Sequence, residues 1–214
     1  MSESDKARLL LALRRVRITD SRLLGAMEAV PRERFVAEAF ADQAYSDVAL
    51  PIESGQTISP PSVAARMIAA LSLGDRMKVL EVGTGSGYQA AVLARLCRRV
   101  YTMERRRDLY EQAEKRFRAL NIHNITGKVG NGFLGWPEQA PFDRILLTAA
   151  VLSPPEKLVA QITEGGLLVM PEGSPEGDQM LVRLRRTADG LEREEIGPVR
   201  FIPLMDGEPV ATSR

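Results

Sequence analysis

The sequence predicts an α/β fold: a mainly parallel sheet with helices on both faces, an added N-terminal helical segment and an antiparallel pair closing one edge. Three observations predict it. Short β-like runs alternate with helical stretches through the middle of the chain, a glycine loop joins the first long strand to its helix, and two β-like runs near the end flank Asp189-Gly190.

Taken in order, residues 3–15 and 20–29 carry apolar side chains at helical spacing: Leu9, Leu10 and Leu13, then Leu23, Leu24 and Met27. Asp20 reads as the N-cap of the second helix and Pro31 as its stop. A further helical run spans 61–71. The segment MKVLEV at 77–82 reads as a buried strand, followed by the glycine loop and a helix over 87–97. A strand at 99–104, a helix at 107–120, and strands at 124–129 and 142–148 come next. Pro154 and Pro155 open a short helix, and Gly165-Gly166 turn the chain into a strand at 167–171. The runs 179–186 and 191–197 form a hairpin, with Asp189-Gly190 signalling a type I′ turn. With 44% of 214 residues hydrophobic, one domain buries enough surface to stand without disulfide or metal. Residues 1–214 therefore read as a single domain: a helical segment over 1–50, a cofactor-binding core over 51–175, and C-terminal strands and tail over 176–214.

Lys plus Arg number 29 against 28 for Asp plus Glu, a net charge of +1, which excludes the broad basic footprint of a nucleic-acid binder. The runs Arg105–Arg107 and Arg183, Arg185, Arg186 read as solvated faces. Cys97 and His123 are each the only residue of their type, so neither an intrachain disulfide nor a Cys/His metal site is expected. The apolar run Leu9–Leu13 is too short for a secretory signal, and no stretch approaches the roughly 20 apolar residues of a membrane span. The expectation is a soluble, cytoplasmic monomer with no nucleic-acid, membrane or metal partner.

The segment EVGTGSGYQ at 81–89 carries the strongest chemistry. It lies at the carboxyl end of a strand and before a helix, where open α/β sheets bind ligands. Gly83, Gly85 and Gly87 let backbone N–H groups approach a ligand closely. Glu104, roughly 20 residues on at the end of the next strand, occupies the position that holds a ribose hydroxyl pair. The pattern is G-x-G-x-G, with Tyr88 where a dinucleotide fingerprint has its third glycine. A loop with no pyrophosphate to cradle suits S-adenosylmethionine, whose amino-acid end is zwitterionic.

Several segments go further. VPRERFV (30–36), AYSDVALPI (44–52), GQTIS (55–59), VLEVGTGSGYQAAVLA (79–94), GNGFLGWPEQAPFDRILLTAA (130–150) and VRFIPL (199–204) together resemble the protein-L-isoaspartate O-methyltransferase family over residues 20–204. The resemblance implies a seven-stranded, Rossmann-like class I methyltransferase sheet. It also implies an enzyme that uses S-adenosylmethionine, releases S-adenosylhomocysteine and methylates L-isoaspartyl and D-aspartyl residues of damaged proteins or peptides. Carried over position by position, it puts cofactor contacts at Glu81, Gly83, Thr84, Gly85, Ser86, Gly87, Glu104, Asn131 and Gly132. It makes Ser59 the active-site serine, with Gln56, Thr57 and Ile58 beside it on the substrate side.

The residue types suit that chemistry. A carboxylate with a pKa near 4 is ionised at neutral pH and needs no general base. What the protein must supply is alignment. Hydroxyl donors such as Thr57 and Ser59 hold one carboxylate oxygen without blunting the other, as an arginine would. On composition alone Ser59, before Pro60 and a helical run, also reads as a helix N-cap. The chain departs from the family in having Glu53-Ser54 in place of the usual histidine, Pro60-Pro61 after the serine, and Asn131-Gly132 in place of Asp-Gly. These departures keep open a paralogue that methylates another carboxylate, or a protein that binds S-adenosylmethionine without isoaspartyl activity. Asn131-Gly132 is also a dipeptide prone to deamidation, so slow conversion of this motif is a further expectation. Among single residues, His123 reads as surface, Cys97 as packed and inert, and Phe35 and Tyr45 as core. Trp136 and Tyr88 read equally as cleft lining or as packing.

Overall fold

The computed structural model describes residues 3–210. Helical apolar spacing at the start produces α1 (Glu3–Arg15) and α2 (Ser21–Ala29), which bury Leu9 and Leu13, then Leu23, Leu24 and Met27. Asp20 caps α2: its carboxylate accepts from the Arg22 and Leu23 amides at 2.8 and 3.3 Å. A short antiparallel hairpin follows, β1 (Leu50–Pro51) with β2 (Thr57–Ile58), and leads into α3 (Pro61–Ala70).

The central alternation gives β3 (Lys78–Val82), α4 (Tyr88–Leu93), β4 (Arg99–Glu104), α5 (Arg107–Ala119), β5 (Ile125–Val129), β6 (Phe142–Leu147) and α6 (Glu156–Ala160). Three long strands complete it: β7 (Ile162–Gly173), β8 (Gln179–Thr187) and β9 (Gly190–Val199). The seven-stranded sheet runs β5-β4-β3-β6-β7-β8-β9, parallel from β5 to β7 and antiparallel across the last three. Strand order reverses at β3, so the crevice between β3 and β6 is the switch point at which such sheets bind ligands. The edge strand β9 exposes Glu192, Arg193, Glu194 and Glu195, charges that discourage further strand pairing.

Apolar cores cover the two faces of the sheet. Leu13, Leu23, Met67, Leu93 and Phe117 belong to one, and Phe142, Leu158, Ile162 and Leu168 to the other. Helix α5 docks through Leu109, Ala113 and Phe117, one residue per turn along one stripe. Among the described residues no helix is long and apolar enough to cross a membrane.

Three local expectations are corrected. Helix α4 ends at Leu93 rather than 97, and the chain continues to β4 through turns. Gly165-Gly166 do not start a new strand. β7 runs through them, and its register against β6 jumps from Phe142↔Ile162 to Arg144↔Leu167, so the glycines form a bulge within one strand. The β8–β9 hairpin pairs Thr187 with Gly190, which makes Ala188 and Asp189 the turn residues. Neither has positive φ, so the turn is not type I′, a form that would strain alanine.

Candidate active site

A cleft of about 580 Å³ opens at the carboxyl ends of β3, β4, β5 and β6, within the range of small-molecule sites. The glycine loop forms its floor. The Gly83 and Thr84 amides donate to the Met103 carbonyl at 2.8 and 3.1 Å, tying the loop to the end of β4. Thr148, just past β6, occupies the space that a Cβ on residue 83 would need and donates its hydroxyl to the Gly83 carbonyl at 2.8 Å. Gly83, Thr84, Gly85 and Ser86 all line the cleft. Gly87 does not: at φ +90 it starts α4, and a Cβ there would meet the Phe117 ring at 2.8 Å. Its role is close packing against α5.

Glu104 lines the cleft with both carboxylate oxygens held, Oε2 by the Gly85 amide at 2.9 Å and Oε1 by the Arg106 amide at 3.0 Å. Each oxygen keeps a further lone pair, so the fixed carboxylate can still accept from a pair of hydroxyls. Glu81 stands behind the loop, fully buried and off the cleft. Its Oε2 accepts from the Thr102 hydroxyl at 2.6 Å, which lies 2.6 Å from the Thr84 hydroxyl, and its Oε1 has no partner. Burial, reinforced by the nearby Glu104 charge and opposed by the Thr102 hydrogen bond, pushes the Glu81 carboxyl up to about 8. Asn131 also turns away from the cleft. Its Nδ2 donates to Asp206 Oδ1 at 2.7 Å and its Oδ1 accepts from the Phe133 amide at 3.0 Å, while Gly132 lines the cleft.

Gln56, Thr57, Ile58 and Ser59 form the opposite wall. The Ser59 carbonyl accepts from Arg32 Nη2 at 2.7 Å, and its hydroxyl has no hydrogen bond among the described residues. Ser59 is not the helix cap that composition allowed. Pro60 holds the N-cap position of α3, and with two prolines in succession the first free amide, that of Ser62, goes to Asp47 Oδ1 at 2.8 Å. The loop before this wall is tied to the cofactor side. Ser54 bonds Asp108 of α5, and Arg116 of α5 pairs with Glu53 at 3.1 Å while donating to the Ser86 carbonyl at 3.1 Å.

Sequence reasoning missed the outer wall. Residues 201–205 line the cleft, fixed by the Ala150 amide donating to the Ile202 carbonyl and the Leu204 amide to the Ala150 carbonyl, both at 2.8 Å. Met103, Leu109 and Thr148 line it too. An apolar run, FIPL, beyond the last strand was the available signal. Trp136 packs edge-on against Tyr101 at 5.4 Å, off the cleft, as a loop anchor. Tyr88 reaches the cleft wall while almost wholly buried. His123 is exposed; Cys97 is buried, and burial pushes its thiol up to about 12.

These residues fit S-adenosylmethionine. Glu104 presents hydroxyl acceptors, Met103, Leu109 and Leu204 give apolar walls for a purine, and the open face at Gly85, where a Cβ would come no nearer than 3.8 Å to Ile52 Cδ1, leaves room above the loop.

Known proteins match this chain in sequence and in fold. The family model described as protein-L-isoaspartate(D-aspartate) O-methyltransferase matches residues 4–209. A protein-L-isoaspartate O-methyltransferase of Parvibaculum lavamentivorans is 59% identical over 207 residues, 96% of this chain and 93% of its own. One from Rhodospirillum centenum is 56% identical, over 94% of this chain and 91% of its own. Among solved structures, a protein-L-isoaspartate O-methyltransferase superposes with a TM-score of 0.86 at 28% identity, covering 95% of this chain and 67% of the other. A Plasmodium falciparum chain described as a protein-L-isoaspartate O-methyltransferase, in complex with S-adenosyl-L-homocysteine, gives 0.79 at 26% identity, covering 94% and 98%.

Proposed function

The chain belongs to the protein-L-isoaspartate(D-aspartate) O-methyltransferase family, and on that premise we propose that Ser59 and its neighbours seat the acceptor carboxylate against a methyl donor lying between the glycine loop and Glu104. The protein is an S-adenosylmethionine-dependent enzyme that methylates isoaspartyl residues of damaged proteins. When bound, S-adenosylmethionine supplies a methyl group already activated on a sulfonium.

The chain's own residues then have to align and desolvate. Glu104, fixed by two backbone amides, would accept the ribose hydroxyls, and Gly83, Thr84, Gly85 and Ser86 would border the amino-acid end. Gly132 and the walls from Met103, Leu109 and Leu204 would border the adenine. On the other side Ser59 and Thr57 donate to one oxygen of the acceptor carboxylate and leave the second free to attack. No side chain need take a proton, because the acceptor arrives ionised. Residues 200–203 would form the ledge along which the substrate chain lies. Glu81 acts at one remove, through Thr102 and Thr84, and Asn131 anchors the turn at Gly132 through Asp206 and the Phe133 amide.

One observation carries this reading: Ser59, whose hydroxyl is uncommitted among the described residues, lines the same cleft as Glu104 and the glycine loop. The direct test is methyl transfer to an isoaspartyl peptide beside its normal aspartyl twin. Transfer to the first alone is expected; equal or absent transfer to both overturns the assignment. In the same reading the enzyme works as a single-domain monomer in the cytoplasm. The buried, unpaired Cys97 suits a reducing compartment. A solution mass of one 23.6 kDa chain is expected from light scattering.

A further inference from the structure

Arg32 has an environment that its local sequence does not explain. Its guanidinium is fully buried, with Nε donating to the Ala44 carbonyl at 2.8 Å and Nη2 to the Ser59 carbonyl at 2.7 Å. It lies over the Tyr88 ring at 4.7 Å; Nη1 and the Tyr88 hydroxyl are buried without a partner at full hydrogen-bonding geometry, although the two side chains attract each other. Among the described residues no carboxylate forms an ion pair with it. Asp47 acts on it from farther away and is already engaged by the Ser62 amide, and Glu33 accepts from the Tyr45 hydroxyl at 2.5 Å. A buried cation without a counter-charge is costly, and a methionine would fill the same space beside Tyr88 and Phe35. The charge stands directly behind Ser59, a residue that lines the cleft.

We propose that Arg32 is a positioning residue whose buried charge, with no ion-pair partner in contact and held against the Ser59 carbonyl, supplies the positive potential that draws the acceptor carboxylate to the Ser59 wall. The inference rests on the reading of this wall as the acceptor site. It resolves a conflict in the chemistry. A guanidinium bonded directly to the carboxylate would hold both oxygens and weaken the nucleophile, whereas one set a residue behind attracts the anion and leaves its attacking oxygen free. Arginine suits the task because it keeps its proton when buried.

The experiment measures the affinity of an isoaspartyl peptide and of its isoasparaginyl counterpart, in which an uncharged carboxamide replaces the carboxylate. Both are titrated into the complex with S-adenosylhomocysteine, using wild type, R32K and R32M. Wild type is expected to favour the carboxylate by about tenfold or more, R32K, titrated at about pH 6 where a buried lysine more readily keeps its charge, to keep that preference, and R32M to lose most of it. A purely structural role would weaken both peptides alike and leave their ratio unchanged. A wild type without the preference, an R32K that loses it, or an R32M that keeps it overturns the proposal. The first two results are obtained even where R32M does not fold. Methyl transfer by the wild type to the isoaspartyl peptide is measured separately, so failure of the acceptor assignment itself shows as absent transfer.

Discussion

Beneath the glycine loop, Thr102 donates its hydroxyl to Glu81 at 2.6 Å while lying 2.6 Å from the Thr84 hydroxyl, so a buried carboxyl at β3 is linked through two threonines to the floor of the cleft. That carboxyl has no access to water and no counter-charge, and it keeps its proton at neutral pH.

A pH dependence of stability follows. The Glu81 pKa stands at about 8 against an ordinary 4.5, raised in the folded state. Below the ordinary value the side chain is protonated whether the chain is folded or not, and its burial carries no ionisation penalty. As pH rises toward 8 the unfolded chain ionises first, and stability falls until the folded carboxyl ionises too. E81Q mimics the protonated form at every pH. Wild type and E81Q should unfold alike near pH 4. At pH 9 E81Q should be the more stable by a few kcal/mol, because each pH unit separating the folded and unfolded pKa values is worth about 1.4 kcal/mol. Denaturant unfolding across that range checks it; a difference independent of pH rules it out.

The glycines of the loop should separate by role. Gly87 packs against Phe117 and Ala113 and is off the cleft, whereas Gly85 is open and lines it. G87A should lower stability by about 2–3 kcal/mol through strain and overpacking, with little change in cofactor affinity for the folded fraction. G85A, at φ +53, should cost about 1 kcal/mol of stability and weaken S-adenosylhomocysteine at least about tenfold. Melting curves with and without that ligand distinguish the two. Equal ligand responses would show that both glycines serve the same purpose.

S59A separates catalysis from capping. A lost N-cap costs about 1 kcal/mol of stability. Because Pro60 holds the cap position and Asp47 takes the first free amide of α3, S59A should leave the melting temperature unchanged. It should lower kcat/KM for an isoaspartyl peptide by about 10- to 100-fold through loss of one donor. A lower melting temperature with unchanged kinetics would return Ser59 to a structural role.

Much of the fold was legible because its signals are local. Strand β4 was placed at its observed bounds, Asp20 caps α2 as expected, and the glycine loop with Glu104 located the cleft. What was not legible depends on contacts distant in sequence. The β1–β2 hairpin has strands of two residues, too short for any periodicity. The outer wall at 201–205 is fixed by Ala150, and no local pattern predicts that pairing. Arg32, within VPRERFV, has the look of an exposed charge; its burial is decided by Ala44 and Ser59, which arrive from other loops. Asn131 and Glu81 were read as cofactor contacts from their places in motifs, and the side chains are instead turned toward Asp206 and Thr102.

Asn131 allows a last prediction, against the sequence expectation that Asn131-Gly132 slowly deamidates. Deamidation requires the Gly132 nitrogen to attack Asn131 Cγ and expel ammonia, so the side-chain amide must swing over its own backbone. In the fold both ends of that amide are held. Nδ2 donates to Asp206, whose carboxyl is drawn below the ordinary range first of all by this hydrogen bond, and Oδ1 caps the turn at the Phe133 amide. Gly132 is buried, and a Cβ there would approach Leu204 at 3.1 Å, which leaves little room for backbone rearrangement. The folded wild type should therefore show no Asn-to-Asp mass change at this peptide over prolonged incubation at neutral pH. D206A, which releases Nδ2 alone, should acquire that change and lose affinity for S-adenosylhomocysteine as it does so, because Gly132 lines the cleft. Equal rates of conversion in wild type and D206A would mean that the Asp206 hydrogen bond gives the amide no protection.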